Sequence, residues 1–324
     1  MNASARGLEI GVMLPNHDAA GRTLTLDEVA AYAARAERLG FDSIWASDHF
    51  HGDDRAPGGA GGRHDPLLAL AHLAAHTTSI TLGTLVLANG FRAPAQLARE
   101  LATLSHLAPG RVVVGLGTGG RVGEFDTFGF PRERPVRRLR ETLTVVPALL
   151  SGETVTFEGE SVRLRDANLL LAEAVPPFWI AAFGPRMLEL TAELADGWNT
   201  AWYGEDVEPF RSALRSFRET QERLGTAGRN VEVSVGVRMI PVTGAERRRL
   251  AERLERLRPD PAPVLWGELA DAAVTGTVDE LAEALMRYRD AGAHHVILNL
   301  SLLPTSLLDP GYLDRAAGLL ARIR

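Results

Sequence analysis

Short apolar runs alternate with longer amphipathic stretches along the whole chain of 324 residues. Residues 8–14, 42–46, 79–87, 111–115, 178–182, 198–201, 231–240 and 295–300 read as strands. Several are apolar almost throughout, as strands covered on both faces must be. Helical patterns occupy 26–39, the stretch opened by Asp65 and Pro66, 93–107, 137–150, 185–195, 207–224, 245–257, 278–291 and 312–323. Eight strand–helix units predict a (β/α)8 TIM barrel with insertions. A doubly wound sheet is the other architecture that this alternation permits. No linker, repeat or low-complexity tract divides the chain, so residues 1–324 are read as one domain. Three segments interrupt the alternation. Residues 115–135 read as a long glycine-rich loop before the helix at 137–150, and 155–164 as a small hairpin. Residues 258–276 read as an insertion or lid.

Composition narrows the chemistry. The chain has no cysteine and no lysine, so all 35 basic side chains are arginine. That excludes disulfides, thiolate metal sites, a thiolate nucleophile, a Walker A lysine and Schiff-base chemistry. A net charge of −6 argues against nucleic acid as a partner. No apolar run approaches the roughly 18 residues of a membrane span, and the first residues lack the apolar core of a signal peptide. A cytoplasmic protein without a membrane partner is the expectation.

On a barrel, function collects where strands end. The corresponding segments are 16–21, 47–63, 88–92, 117–130, 183–186 and 202–205. Asp48 and His49 follow the second strand. A histidine there can exchange a proton near neutral pH, or stand as a solvated loop residue. His49 and His51 also form an H-x-H pair that would need His64 and Asp65 to complete a metal site. Residues 115–120 match G-x-G-x-x-G, but no helix opens cleanly after them. They read as a turn that admits a ring or phosphate close to the backbone. Phe183-Gly184-Pro185-Arg186-Met187 precedes a helix with proline at its first position. That geometry suits a phosphate or an ordinary βα turn. Glu124 and Asp126 lie nearby, and nothing in the sequence singles out either for catalysis. His294 and His295 sit at the strand end where a barrel places stability.

Six stretches, LGFDSIWASDHF (39–50), ITLGTLVLANGFRAP (80–94), LAPGRVVVGLGTGG (107–120), SGETVTFEGESVRL (151–164), PPFWIAAFGPRMLELTAELADGWNT (176–200) and GTVDELAEALMRYRDAGAHHVILNL (276–300), together resemble the bacterial luciferase-like superfamily. SDHF and the segment around 181–198 are most similar to its branch dependent on the deazaflavin coenzyme F420. The resemblance implies the same barrel and a catalytic His49. It implies cofactor contacts from Asp48, Leu85, Val86, Ala88, Thr118, Gly119, Gly123, Phe183, Gly184, Arg186 and Met187. A non-prolyl cis peptide would join Leu85 and Val86 behind the ring. A partly apolar substrate pocket would be walled by Trp45, Phe125, Phe128, Trp198 or Trp202, and no metal is expected. The expected activity is hydride transfer between F420 and a small organic substrate. The alternatives are an FMN-dependent monooxygenase fed by a flavin reductase, and a non-catalytic flavin- or F420-binding protein. A homodimer is the assembly that the resemblance implies. One departure bears on the substrate. Sugar-phosphate dehydrogenases of this branch carry a glutamate after GTG, where this chain has Gly120, and a phosphate-binding lysine that it lacks. A sugar phosphate is therefore not the expected substrate.

Overall fold

The computed structural model describes residues 7–18, 22–51, 62–171, 174–257, 274–301 and 311–324. Its strands are β1 (Glu9–Met13), β2 (Ser43–Ala46), β3 (Thr81–Thr84), β4 (Leu87–Ala88), β5 (Val112–Gly117), β6 (Val155–Glu158), β7 (Arg163–Ala167), β8 (Phe178–Ala181), β9 (Gly197–Tyr203), β10 (Glu232–Pro241), β11 (Val274–Gly276) and β12 (His295–Asn299). Eight of them pair in parallel, in the order β1, β2, β3, β5, β8, β9, β10, β12, and β12 returns to β1. The sheet is a closed barrel, which removes the doubly wound alternative. β6 and β7 form the expected antiparallel hairpin. Most of the segment read as an insertion or lid, 258–273, lies outside the described residues.

The helices are α1 (Leu26–Leu39), α2 (Pro66–Ala74), α3 (Pro94–Leu107), α4 (Val122–Phe128), α5 (Pro135–Leu150), α6 (Pro185–Leu194), α7 (Glu208–Arg223), α8 (Gly244–Leu257), α9 (Val278–Asp290) and α10 (Gly311–Ile323). Proline opens α2, α3, α5 and α6, where its missing N–H and fixed φ cost nothing. Thr25 and Glu28 form a capping box at α1, and Thr277 with Glu280 forms another at α9. Two sequence expectations are corrected. The supposed loop at 115–135 contains the short helix α4, ended by Gly129 at φ 73°. The third apolar run is two strands, interrupted by a cis peptide bond between Leu85 and Val86, after which β4 pairs with β5. A second non-prolyl cis bond joins Ala201 to Trp202.

Trp45 and Trp179 fill the barrel interior with their rings 5.1 Å apart, and His295 meets both edge-on. The Trp45 indole N–H donates to Ser43 Oγ at 2.7 Å, and His295 Nε2 lies 2.7 Å from the same oxygen. Trp45 is therefore a core residue, fully buried inside the barrel, and not a wall of a substrate pocket. Trp198 is corrected likewise. It stacks on Phe217 of α7 at 4.9 Å and donates to Ala182 O. The barrel interior is narrow enough that a Cβ on Gly83 would overlap the Trp45 ring.

Outside the barrel, Glu37 of α1 accepts the backbone N–H groups of Thr78, Ser79 and Ile80, ahead of β3. Burial alone would raise its carboxyl, but these donors outweigh burial and hold it at about 2. A depressed carboxyl stabilises the fold above its unfolded pKa. We expect this contribution to vanish as pH falls from the ordinary glutamate range towards 2. Glu37→Ala should lower stability by about 1 kcal/mol at neutral pH, because it removes these hydrogen bonds and leaves the buried Ile80 N–H without its acceptor. The difference from the parent in melting temperature should shrink as pH falls. Gly83→Ala should cost about as much through overpacking, at any pH. A melting temperature unchanged in Gly83→Ala would contradict this account of the interior.

Candidate functional site

Three loops at the C-terminal ends of β2, β3 and β5 bring the polar residues together. Asp48 is buried, and it accepts the Ala88 N–H at 3.0 Å and an ion pair from Arg92. Arg92 also pairs with Asp65. Burial lifts the Asp48 carboxyl above its ordinary range, with the Arg92 guanidinium and the Ala88 N–H working against that lift. The Asp48 bond to Ala88 ties the loop after β2 to β4, just past the cis bond.

His49 turns towards α4. Its Nδ1 lies 2.9 Å from Glu124 Oε2, while Glu124 Oε1 accepts the Phe50 N–H at 3.0 Å. The Glu124 side chain is only 2% exposed. Burial opposes its charge, but the His49 ring, the Phe50 N–H and Arg121 prevail and hold the carboxyl below its usual range. Burial is also the main influence on His49, and it lowers the imidazole pKa, with Arg121 and Arg63 adding to the fall and Glu124 opposing it. An ionised carboxylate only accepts hydrogen bonds, so Nδ1 carries the hydrogen. Nε2 of the neutral ring is then the basic nitrogen. This is the arrangement by which a carboxylate sets the tautomer and direction of a catalytic imidazole.

Glu124 is the residue that the sequence did not single out. The signal was there only in retrospect. Its place in α4 depends on a helix hidden in a glycine-rich stretch, and its contact with His49 spans 75 positions. Gly120, where the family resemblance leads one to look for a glutamate, is exposed with no atom near its Cβ position. The H-x-H metal alternative is not assembled. His49 is engaged by Glu124, His64 Nε2 lies 2.7 Å from Leu24 O, and Asp65 caps α2.

His49 and Leu85 stand between two cavities. The larger, about 420 Å³, is lined by Asp48, Val86, Ala88, Gly117, Thr118, Gly119, Phe125, Phe183, Gly184 and Met187 along with other residues. Its volume is that of a typical ligand site. One side is built from residues with little or no side chain. A Cβ on Gly117 would stand 2.8 Å from Val86 Cγ2, and one on Gly119, at φ 89°, would meet the Phe125 ring at 2.5 Å. Glycine at these positions lets Val86 and Phe125 pack directly against the backbone of this wall. At the far end, α6 opens with Gly184 as its cap and no side chain on its first N–H groups. Arg186 is exposed beside that turn and outside the lining, as is Gly123 in α4.

The second cavity is a recess of about 120 Å³ lined by Met13, Leu14, Asn16, Arg63, Trp202 and Asn299 among others. Trp202, expected at a substrate wall, is there. Phe125 lines the larger cavity instead. Phe128 is corrected: it stacks on Phe50 at 4.1 Å and is 43% exposed, in a roof of aromatic rings with Phe91 and Phe130. It lines neither cavity.

Comparison with known proteins gives a consistent result. Residues 8–295 match the family model described as luciferase-like monooxygenase. An F420-dependent glucose-6-phosphate dehydrogenase of Kineococcus radiotolerans is 34% identical over 299 residues, which is 84% of this chain and 86% of that protein. An F420-dependent hydroxymycolic acid dehydrogenase of Mycobacterium tuberculosis is 40% identical over 179 residues, covering 53% of this chain and 48% of that one. In architecture, an F420-dependent secondary alcohol dehydrogenase in complex with an F420–acetone adduct superposes with a TM-score of 0.79 at 20% identity, over 98% of this chain and all of the other. The match spans most of the chain and includes every strand of the barrel except β12, of which it reaches only the first residue, so the protein belongs to the luciferase-like family.

Proposed function

We propose that the protein is a coenzyme F420-dependent oxidoreductase in which His49, directed by Glu124, moves the proton that accompanies hydride transfer. The observation that carries this reading is the junction itself. A neutral, carboxylate-oriented imidazole stands where a cavity lined by Gly117, Thr118 and Gly119 meets a smaller recess. The F420-dependent relatives support the choice of cofactor.

The residues present fit a deazaflavin. The cavity wall of Gly117, Thr118 and Gly119 carries little side chain and leaves room for a flat ring system, Val86 shares that lining, and Asp48 offers a buried carboxyl to polar ring edges. The uncapped start of α6 suits the anionic tail. When bound, F420 supplies or takes up a hydride. The chain's own residues do the rest. Asp48 and Ala88 hold the loops of β2 and β3 at a fixed separation. The aromatic roof formed by Phe50, Phe91, Phe128 and Phe130 limits the entry of water. His49 Nε2 accepts a proton from an alcohol being oxidised, or returns one to a carbonyl being reduced. Glu124 remains ionised and stabilises the imidazolium formed in the first case.

A sugar phosphate remains outside this proposal, since Gly120 leaves the expected second carboxylate out. The protein's substrate is a small organic molecule reached through the recess, and its setting is the aqueous interior of the cell. Among the described residues, no helix is long and apolar enough to cross a membrane.

Titration of the purified protein with F420 and with FMN, followed by cofactor fluorescence, tests the cofactor. F420 should bind and FMN should not compete. Tight FMN binding without an F420 response would sink the proposal in favour of the flavin monooxygenase. His49→Ala should retain F420 and lose on the order of 10²–10⁴-fold in turnover, the range of general acid–base catalysis. Turnover equal to the parent's would remove the proton role. For alcohol oxidation the acid limb of kcat/KM should lie below the ordinary histidine value, because burial lowers the His49 pKa. Glu124→Gln removes the one partner that raises that pKa. Its acid limb should therefore move to still lower pH, with a loss of about tenfold for the charged hydrogen bond. An acid limb that rises, or does not move, would show that Glu124 is not the group acting on His49.

A further inference from the structure

A third cavity, of about 160 Å³, adjoins the larger one and takes no part in the reaction proposed above. Thr118, Gly119 and Phe125 line both, and the Phe125 ring is the partition between them. Glycine brings the backbone close to that ring from two sides. A Cβ on Gly90 would stand 2.6 Å from it, and one on Gly119 2.5 Å. Asn89, Pro131, Arg132, Pro135 and Arg138 line this third cavity and not the larger one. Among the described residues that line it there is neither His49 nor Glu124, and no carboxylate.

Two of its side chains hold buried polar atoms without partners. Asn89 lies in the single helical turn Asn89–Phe91 after β4 and is 5% exposed. Among the described residues, neither its Oδ1 nor its Nδ2 has a hydrogen-bond partner. Buried amides are nearly always paired, because an unpaired one forfeits its hydration for nothing. Asn89 thus offers an acceptor and a donor side by side. Arg138, near the start of α5, has a buried Nε that is likewise unpartnered. The arginines around it differ: Arg137 pairs with Glu141 and Glu160, and Arg132 with Asp126 at 2.8 Å. The remaining walls are apolar, formed by the Phe125 ring, Pro131 and Pro135.

We propose that this cavity is a second ligand site, separate from those of cofactor and reacting substrate, for a ring compound carrying both a primary carboxamide or lactam and a carboxylate. The amide edge pairs with Asn89 through two hydrogen bonds, since it presents a donor and an acceptor in the complementary order. The ring lies against Phe125 and the prolines. The carboxylate meets the Arg138 guanidinium. A carboxylate without the amide would set oxygen against Asn89 Oδ1, and an amide without the acid would leave Arg138 unused. The site stands on this cavity alone and does not depend on the oxidoreductase reading.

Calorimetric titration with para-carbamoyl-phenylpropanoate tests it. Two comparison compounds each lack one group: para-ethylbenzamide has no acid, and para-acetyl-phenylpropanoate has methyl in place of the amide nitrogen. The full probe should bind about tenfold more tightly than either. Asn89→Leu should remove its advantage over the acetyl compound, and Arg138→Gln its advantage over the neutral amide, with unfolding monitored to confirm that both variants fold. Saturating F420 should leave binding of the probe in place. No binding, equal binding of all three compounds, or advantages that survive both variants would overturn the proposal. Displacement of the probe by F420 would overturn it too, by making the cavity part of the cofactor site. Binding of the probe by a protein that does not bind F420 would defeat the cofactor assignment and support this site.

Discussion

Closure of the eight-stranded sheet is the constraint on which everything else depends. β10 hydrogen-bonds to both β9 and β12, and β12 to β1, so no barrel strand is left with an open edge. A closed parallel barrel has an interior only a few side chains wide. Here Trp45, Trp179 and His295 occupy it, with Ser43 accepting the indole hydrogen bond and glycine where a strand passes a ring. The plugged interior leaves only the C-terminal rim for chemistry. That rim draws its residues from loops far apart in sequence and holds them on one rigid frame.

The rim then sorts its charged groups by what buries them. Asp48 meets Arg92 and becomes part of the scaffold that joins two loops. Glu124 meets His49 and becomes part of the chemistry, since its charge decides which imidazole nitrogen is basic. Arg63 donates to the Ser47 hydroxyl and Arg121 to the His51 carbonyl, so both are tied to the loop after β2. Two ionisable pairings within one loop cluster thus have two consequences. The difference lies in the partner each side chain finds and not in its type.

Much of the fold was legible before any coordinates. Alternation of apolar and amphipathic segments, with Pro66, Pro94 and Pro185 opening helices, specifies strand–helix units through local physics alone. The errors have a common cause. Trp45 and Trp198 lie in strands near the functional loops, which made them pocket candidates. Strand position does not reveal whether a side chain faces the plugged interior, a covering helix or the rim. α4 was read as loop because its seven residues follow a run of glycines, where local propensity is weak. Phe128 belongs to that helix, and its stacking on Phe50 could not be seen without it.

The sequence by itself determined the barrel units, the position of Asp48 and His49 at a strand's end, and the reliance on arginine and an organic cofactor in a chain without cysteine or lysine. Those follow from periodicity, turn chemistry and composition, which act over a few residues or over none. The tertiary structure alone decided that Glu124 orients His49, that Trp45 is core, and that Arg63 and Arg121 share a recess with Trp202 and Asn299. Each of those facts joins residues on different strands of a closed ring. Their distance is set by barrel closure and register, and no local pattern in the chain encodes it.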